Sequence, residues 1–179
     1  MLESVEWGEF RFDEIFTHIK QGRRLKKEDH IAGNIPFVMA GVTNTGVVGF
    51  ISNPIARFPK NSITMDIFGN TFYRPYEFGA GDDTGVYWNE KENFSSQVLL
   101  FLAIAMQKAV MGKFSYGKKL RSSKSRDLKM ELPTKNGELA LDFMENFVAE
   151  LEVRRTAELE AYLSAAGLKD CTLTAAEQS

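Results

Sequence analysis

Between Glu138 and about Leu163 the chain contains no glycine and no proline, and Phe143, Met144, Phe147, Val148, Leu151, Leu159, Tyr162 and Leu163 recur at spacings of three and four. Apolar residues at that period form one stripe on a helix, so the spacing predicts a single long amphipathic helix of coiled-coil type. Asn136-Gly137 precedes it, and Glu138 and Asp142 fall in its first turns, where acids complement the helix dipole. The stripe thins at Arg154, Arg155 and Glu158, so a seam along it carries a charged layer. The chain therefore divides into a domain over 1–137, a helix over 138–163, and a frayed tail or linker over 164–179.

The first part reads as α+β and β-rich. Phe12, Ile15, Phe16 and Ile19 have helical spacing, which predicts a short amphipathic helix ended by Gly22, with His18 on its polar side. Short strand-like runs follow at Ile35 to Met39, Val47 to Ile51, Ile63 to Phe68, Thr71 to Arg74 and Val86 to Trp88. Ser95 and Ser96 are N-cap candidates for a helix over 97–111, apolar on nearly all faces and so expected in the core, with Gly112 as its stop. Met130-Glu131-Leu132-Pro133 reads as a last strand closed by proline.

A content of 44% hydrophobic and 12% aromatic residues suits a folded domain with one core. The single cysteine, Cys171, cannot build a disulfide framework or a cysteine-rich zinc site. The longest apolar run, Val98 to Met106, spans nine residues, and Met1-Leu2-Glu3-Ser4 opens no basic region with an apolar one behind it. A cytoplasmic protein without membrane span or export signal is expected.

The net charge of −2 hides an uneven distribution. Residues 1–137 carry 19 Lys and Arg against 15 Asp and Glu, whereas residues 138–179 carry 3 against 9. Two basic clusters stand out in the first part. One holds Lys20, Arg23, Arg24, Lys26 and Lys27; the other holds Lys108, Lys113, Lys118, Lys119, Arg121, Lys124, Arg126 and Lys129, with Asp127 its only acid. Such density releases counterions from phosphates, and Phe114, Tyr116, Ser115, Ser122, Ser123 and Ser125 add stacking and hydrogen-bonding groups. A solvated basic loop is the plain alternative. Asn44-Thr45-Gly46 has the chemistry of a tight turn, and Asn44 or Thr45 at a loop tip also has the reach and chemistry for a base edge.

Catalytic readings fare worse. Asn53-Pro54-Ile55 is similar to an amino-methyltransferase motif but lacks its second proline and its aromatic residue, and no glycine-rich turn for an adenosyl cofactor accompanies it. Asp127-Leu128-Lys129 matches half of a metal-dependent nuclease site and needs a further acid such as Asp82 or Asp83, which read more simply as an Asx turn. His18 and His30 lack co-ligands at metal spacing, and no nucleophile has an assignable base. No catalytic residue, cofactor pocket or metal site is expected in this chain.

The order of several segments resembles the specificity subunits of type I and related type IIB restriction-modification systems. These are Trp7-Gly8-Glu9-Phe10-Arg11-Phe12-Asp13-Glu14-Ile15-Phe16, Lys20-Gln21-Gly22-Arg23-Arg24-Leu25, Ile35-Pro36-Phe37-Val38, Val42 to Ile51, Phe78 to Asp83, and Leu132-Pro133 ahead of the acidic helix. The resemblance covers about residues 7 to 163. It implies a target-recognition domain that reads half of a split DNA target, followed by a helix that sets the distance to a second domain. It also implies partner modification subunits that hold S-adenosylmethionine and methylate adenine, with cleavage by partner subunits. Full-length members carry two such domains and two helices, so this chain is either a half-subunit that dimerises or one half of a longer protein. The DNA-binding candidates are then Lys20, Arg23, Arg24, Lys26, Lys27, Asn44, Thr45, Lys113, Tyr116, Lys118, Lys119, Arg121, Ser122 and Lys124. The pairing candidates are Phe143, Phe147, Leu151, Leu159 and Tyr162, with Arg154 and Arg155 answering acids such as Glu150 and Glu158 across an antiparallel seam. The competing readings are a metal-dependent nuclease or accessory domain, and a non-catalytic protein-interaction module.

Overall fold

The computed structural model describes residues 5–168. The fold is mixed α+β, built mostly of short sheets with one long C-terminal helix. β1 (Glu6–Arg11) pairs antiparallel with β10 (Lys129–Lys135), which also carries β11 (Glu138–Leu139). β2 (His18–Gln21), β9 (Thr84–Trp88), β6 (Ser62–Asp66) and β7 (Thr71–Arg74) lie in that order in a second, antiparallel sheet. β4 (Val47–Ile51), β3 (Ala32–Val38), β8 (Phe78–Ala80) and β5 (Arg57–Phe58) form a third, with β3 and β8 parallel.

The strand period of two explains the layering. Ile19, Ile63, Met65 and Tyr87 face a core made with Phe12, Phe16, Met130, Leu132 and α2 (Ser96–Val110). Val86 and Trp88, on the other side of β9, join Val38, Phe58, Phe78 and Ala80 of the third sheet. The second sheet is thus covered on both faces, and all five residues of β9 are buried.

Several expectations are corrected. The 12–19 helix is a single turn, α1 (Phe12–Ile15), followed by β2; one helical turn and a strand deliver Phe12, Ile15, Phe16 and Ile19 to the same core as the longer helix would have done. His18 is therefore on a strand, stacked on Trp88 at 4.7 Å, and Gly22 ends that strand. Strands β1, β5, β8 and β11 escaped sequence reading because each takes its partners from distant segments or is only two or three residues long. The chain does not stop at Pro133: a turn at Asn136-Gly137 folds Glu138–Leu139 back onto β10, and the long helix α4 begins at Leu141 and runs to Ala165. Its closure uses Leu168 N–H donating to the Leu163 carbonyl (2.9 Å). The rest of the expected tail, Cys171 included, lies outside the described residues.

α2 starts where the serine pair places it, with Ser95 Oγ accepting from Val98 N–H (3.3 Å), and ends before Gly112, whose φ of +71° a glycine adopts without strain. It is not buried all round: Val98, Leu99, Leu102, Ala103, Met106 and Val110 face the core, whereas Ile104 is 66% exposed. The first half of α4 packs on this helix through Met144 and through Phe147, which meets Phe101 edge-on at 6.0 Å while Phe143 stacks on Phe147. No helix among the described residues is long and apolar enough to cross a membrane.

Tyr87 joins this core to the basic region. Its hydroxyl donates to Ser125 Oγ (2.8 Å), which donates to the Ser122 carbonyl (2.8 Å), fastening α3 (Ser122–Ser125) to β9. Burial pushes the Tyr87 hydroxyl up to about 12, against an opposing pull from Ser125. The folded state therefore favours the protonated form; that stabilisation is complete below the ordinary tyrosine value of 10.0 and is lost as pH rises through about 12. Tyr87→Phe is expected to cost about 1 kcal/mol at neutral pH. It should also flatten the fall in stability between pH 10 and 12, as read from denaturant midpoints.

Candidate nucleic-acid interface

The register places Gln21 beside Gly85, Asp66 beside Thr84 and Met65 beside Thr71, so one end of the second sheet gathers the turns after β2, β6 and β8. Val38 pairs with both Ala80 and Val47, which brings the β3–β4 connection to the same end. Hydrogen bonds then tie these turns into one rim. Ala40 N–H donates to Asp83 Oδ2 (3.0 Å), Gly41 N–H to Asp66 Oδ2 (3.1 Å), Ile67 N–H to the Asp83 carbonyl (2.9 Å) and Leu120 N–H to the Ile67 carbonyl (2.9 Å). Asp66, only 4% exposed, also accepts from Phe68 N–H, Asn70 N–H and the Asn70 amide, so its charge is spent on holding loops.

The two basic clusters meet here through Gln21. Its side-chain amide donates to the Asp82 carbonyl (3.0 Å) and accepts from Ser122 N–H (2.9 Å), while Arg121 Nη1 donates to the same Asp82 carbonyl (2.6 Å). Gly22 allows this approach, because a Cβ there would stand 2.2 Å from the Gly81 carbonyl oxygen. Its N–H donates to the Thr84 carbonyl, and Arg23 N–H donates to the Ala80 carbonyl. Residues a hundred positions apart in sequence, Gln21 and Ser122, thus become neighbours.

Lys20, Arg23, Arg24, Lys113, Lys118, Lys119, Arg121 and Lys124 are all exposed. Ser115 and Lys118 exchange both backbone hydrogen bonds, closing a hairpin whose tip is Tyr116-Gly117. Tyr116 is 82% exposed, with Lys119 Nζ 4.5 Å from its ring centroid and Lys118 Nζ 5.9 Å from that of Phe114. Lys20 Nζ lies over Trp88 at 5.4 Å. An exposed aromatic ring beside an ammonium group that pairs with no carboxylate among the described residues suits a partner with phosphates and planar bases.

Other candidates fall elsewhere. Lys26 and Lys27 lead into a 3₁₀ turn, Lys27–Asp29, held at the opposite end of the third sheet by the Asn53 amide donating to the Asp29 carbonyl (2.9 Å). Ser122 is buried, and it meets Gln21 at the rim through its backbone N–H. Lys129 pairs with Glu9 at 2.5 Å on the first sheet. Asn44 and Thr45 form the expected turn, both with positive φ, and Thr45 is bound by Arg74. Sequence reading missed Gln21, Asp66 and Arg74, because none lies in a motif and each acts through partners remote along the chain.

The acids weighed for a nuclease site make other contacts. Asp127 pairs with Arg11 at 3.2 Å, Arg11 binds Asp13 at 2.6 Å and holds that carboxyl below its ordinary range by hydrogen bonding, and Asp83 is occupied by Ala40 and Thr84. Among the described residues no three His, Cys, Asp or Glu side chains converge as metal ligands.

In α4, Phe143 and Phe147 are half-buried, Phe147 against Phe101 of α2 and Phe143 stacked on Phe147. Leu151, Leu159 and Tyr162 remain 41%, 57% and 67% exposed. Arg154 and Arg155 reach Glu150 (3.1 Å) and Glu158 (2.8 Å) along their own helix, because i,i+4 and i,i+3 partners are the nearest carboxylates on a helical surface.

The family model of the type I restriction modification DNA specificity domain matches residues 4–161. The chain is 34% identical over 167 residues to the specificity subunit S.BcgI of a type II restriction enzyme from Heyndrickxia coagulans, covering 89% of this chain and 48% of that protein. Its fold is similar to the S subunit of a type I restriction-modification system from M. genitalium, with a TM-score of 0.60, 20% identity, and coverage of 94% of this chain and 45% of that one. It is likewise similar to the HsdS subunit from Thermoanaerobacter tengcongensis, with a TM-score of 0.56, 15% identity, and coverage of 91% and 42%. The chain thus spans about half the length of each of these relatives. Matched over nearly all of its described length, the chain belongs to the family of type I restriction-modification DNA specificity domains.

Proposed function

We propose that this chain is a non-catalytic target-recognition unit that reads one half of a split duplex DNA target and directs partner subunits to it. One observation carries this reading: basic segments from residues 20–24 and 113–124 are joined around the Asp82 carbonyl into a single exposed rim with Tyr116 at a hairpin tip. The modification subunits of the complex hold S-adenosylmethionine and methylate adenine, cleavage belongs to partner subunits, and the setting is cytoplasmic. The projecting part of α4 packs against a second such helix, supplied by another copy or by the other half of a longer subunit.

The test is duplex binding by the purified chain across a salt series, with a product assay alongside. Selective binding that weakens steeply with salt, without methyl transfer or strand cleavage, is expected. Cleavage that needs a divalent cation and disappears in Asp127→Ala would replace this reading with the nuclease one.

A further inference from the structure

Arg74 is buried to 1% exposure, and no carboxylate among the described residues forms an ion pair with it. A buried guanidinium without a counter-ion is costly, so its hydrogen bonds have to hold something in place. Its side chain runs along the β6–β7 face, Nε donating to Thr64 Oγ1 (3.0 Å) and Nη1 to Tyr76 Oη (3.3 Å). Both remaining hydrogen bonds fall on one residue: Nη1 donates to Thr45 Oγ1 (3.0 Å) and Nη2 to the Thr45 carbonyl, while the guanidinium lies over the Phe72 ring at 5.3 Å.

Thr45 needs such a hold. Its φ of 53° and that of Asn44, 48°, are left-handed, a region open to asparagine but disfavoured for a β-branched residue. Strain of this kind persists where surrounding contacts over-determine the backbone, and it clusters at functional sites. The consequence here is the position of Asn44. It is exposed, the hydrogen bonds of the turn leave its side-chain amide unengaged among the described residues, and the turn is anchored to the rim through Gly41 and Asp66. Held at that backbone position, an asparagine amide offers an N–H donor to N7 and a carbonyl acceptor to the N6 amino group of adenine in the major groove.

The geometry points to Asn44 as a base-reading side chain for an adenine·thymine pair and to Arg74, acting through Thr45, as the residue that positions it. This inference rests on the DNA-reading function proposed above. It predicts that variants of three residues relax the same single position of the target.

The target is first selected from a random duplex pool with the full chain, and affinities are then measured for that target, its single base-pair variants and random duplex. Asn44→Gly keeps the left-handed turn and should lower discrimination at one adenine·thymine pair by about tenfold or more, a far larger change than its effect on affinity for random duplex. Arg74→Lys and Thr45→Gly should relax that same pair, whereas Thr45→Ser, which keeps the hydroxyl, should not. If Arg74→Lys fails to fold, Thr45→Gly at its exposed site carries the same expectation. Equal losses at every position would make Arg74 merely structural and overturn the inference, as would relaxation at different pairs or at none. A wild-type chain without selective duplex binding removes the DNA-reading function itself and this inference with it; selective wild-type binding with an unchanged Asn44→Gly removes the inference alone.

Discussion

Replacing Lys118 and Lys119 together by alanine is expected to weaken duplex binding by about tenfold to a hundredfold and to reduce the slope of log affinity against log salt by about one to two units, since each phosphate contact contributes just under one. The pair makes a clean test because neither ammonium group is paired with a carboxylate among the described residues; each lies over an aromatic ring. The hairpin they sit on is closed by backbone bonds between Ser115 and Lys118, which alanine preserves. Arg121 would be a poorer choice, since its guanidinium also braces the Asp82 carbonyl and its loss would disturb the rim. The reduction should be similar for selected and random duplexes, because phosphate contacts carry no sequence information. A fluorescence titration at several salt concentrations reads both quantities, and an unchanged slope would mean that these lysines are solvated and idle.

The second large effect is expected in α4. Leu159→Glu should leave the domain folded while abolishing self-association, because Leu159 stands beyond the stretch that packs on α2 and is 57% exposed in the single chain. Phe147→Glu would confuse the outcome, since Phe147 already lies against Phe101. At high micromolar concentration the wild-type chain should sediment at twice 20.2 kDa and the variant at 20.2 kDa, with unchanged circular dichroism. A glutamate buried without a partner in an apolar seam costs several kcal/mol, enough to raise the dissociation constant by about a hundredfold or more. An antiparallel pair would place two recognition domains about a two-fold axis, so the selected target should be a split palindrome. A wild-type chain that stays monomeric would instead assign the seam to the other half of a longer subunit.

Features written in local pattern were legible from the chain alone. The 3.6-residue period announced α4, the serine pair and Gly112 bounded α2, and the Asn44 turn joined two strands whose cores were also visible. These rest on backbone conformations and amphipathic faces that a few neighbouring residues impose by themselves. The density of lysine and arginine between 108 and 129 likewise marked a basic surface without any knowledge of the fold.

What needed the tertiary structure was every relation carried by long-range pairing. The period of Phe12, Ile15, Phe16 and Ile19 fits a helix, yet pairing of His18–Gln21 with β9 turned its second half into a strand. Lys26, Lys27 and Lys129 have the same composition as the rim lysines, but the path of the chain carries them elsewhere. Gln21 and Arg74 carry no local signature, because a hydrogen bond to residues 101 or 29 positions away is a property of the folded chain. Sequence alone determined the two long helices and the basic segments, since both follow from local chemistry; the packing of three sheets decided which of those charges share one surface, since strand register sets where each turn emerges.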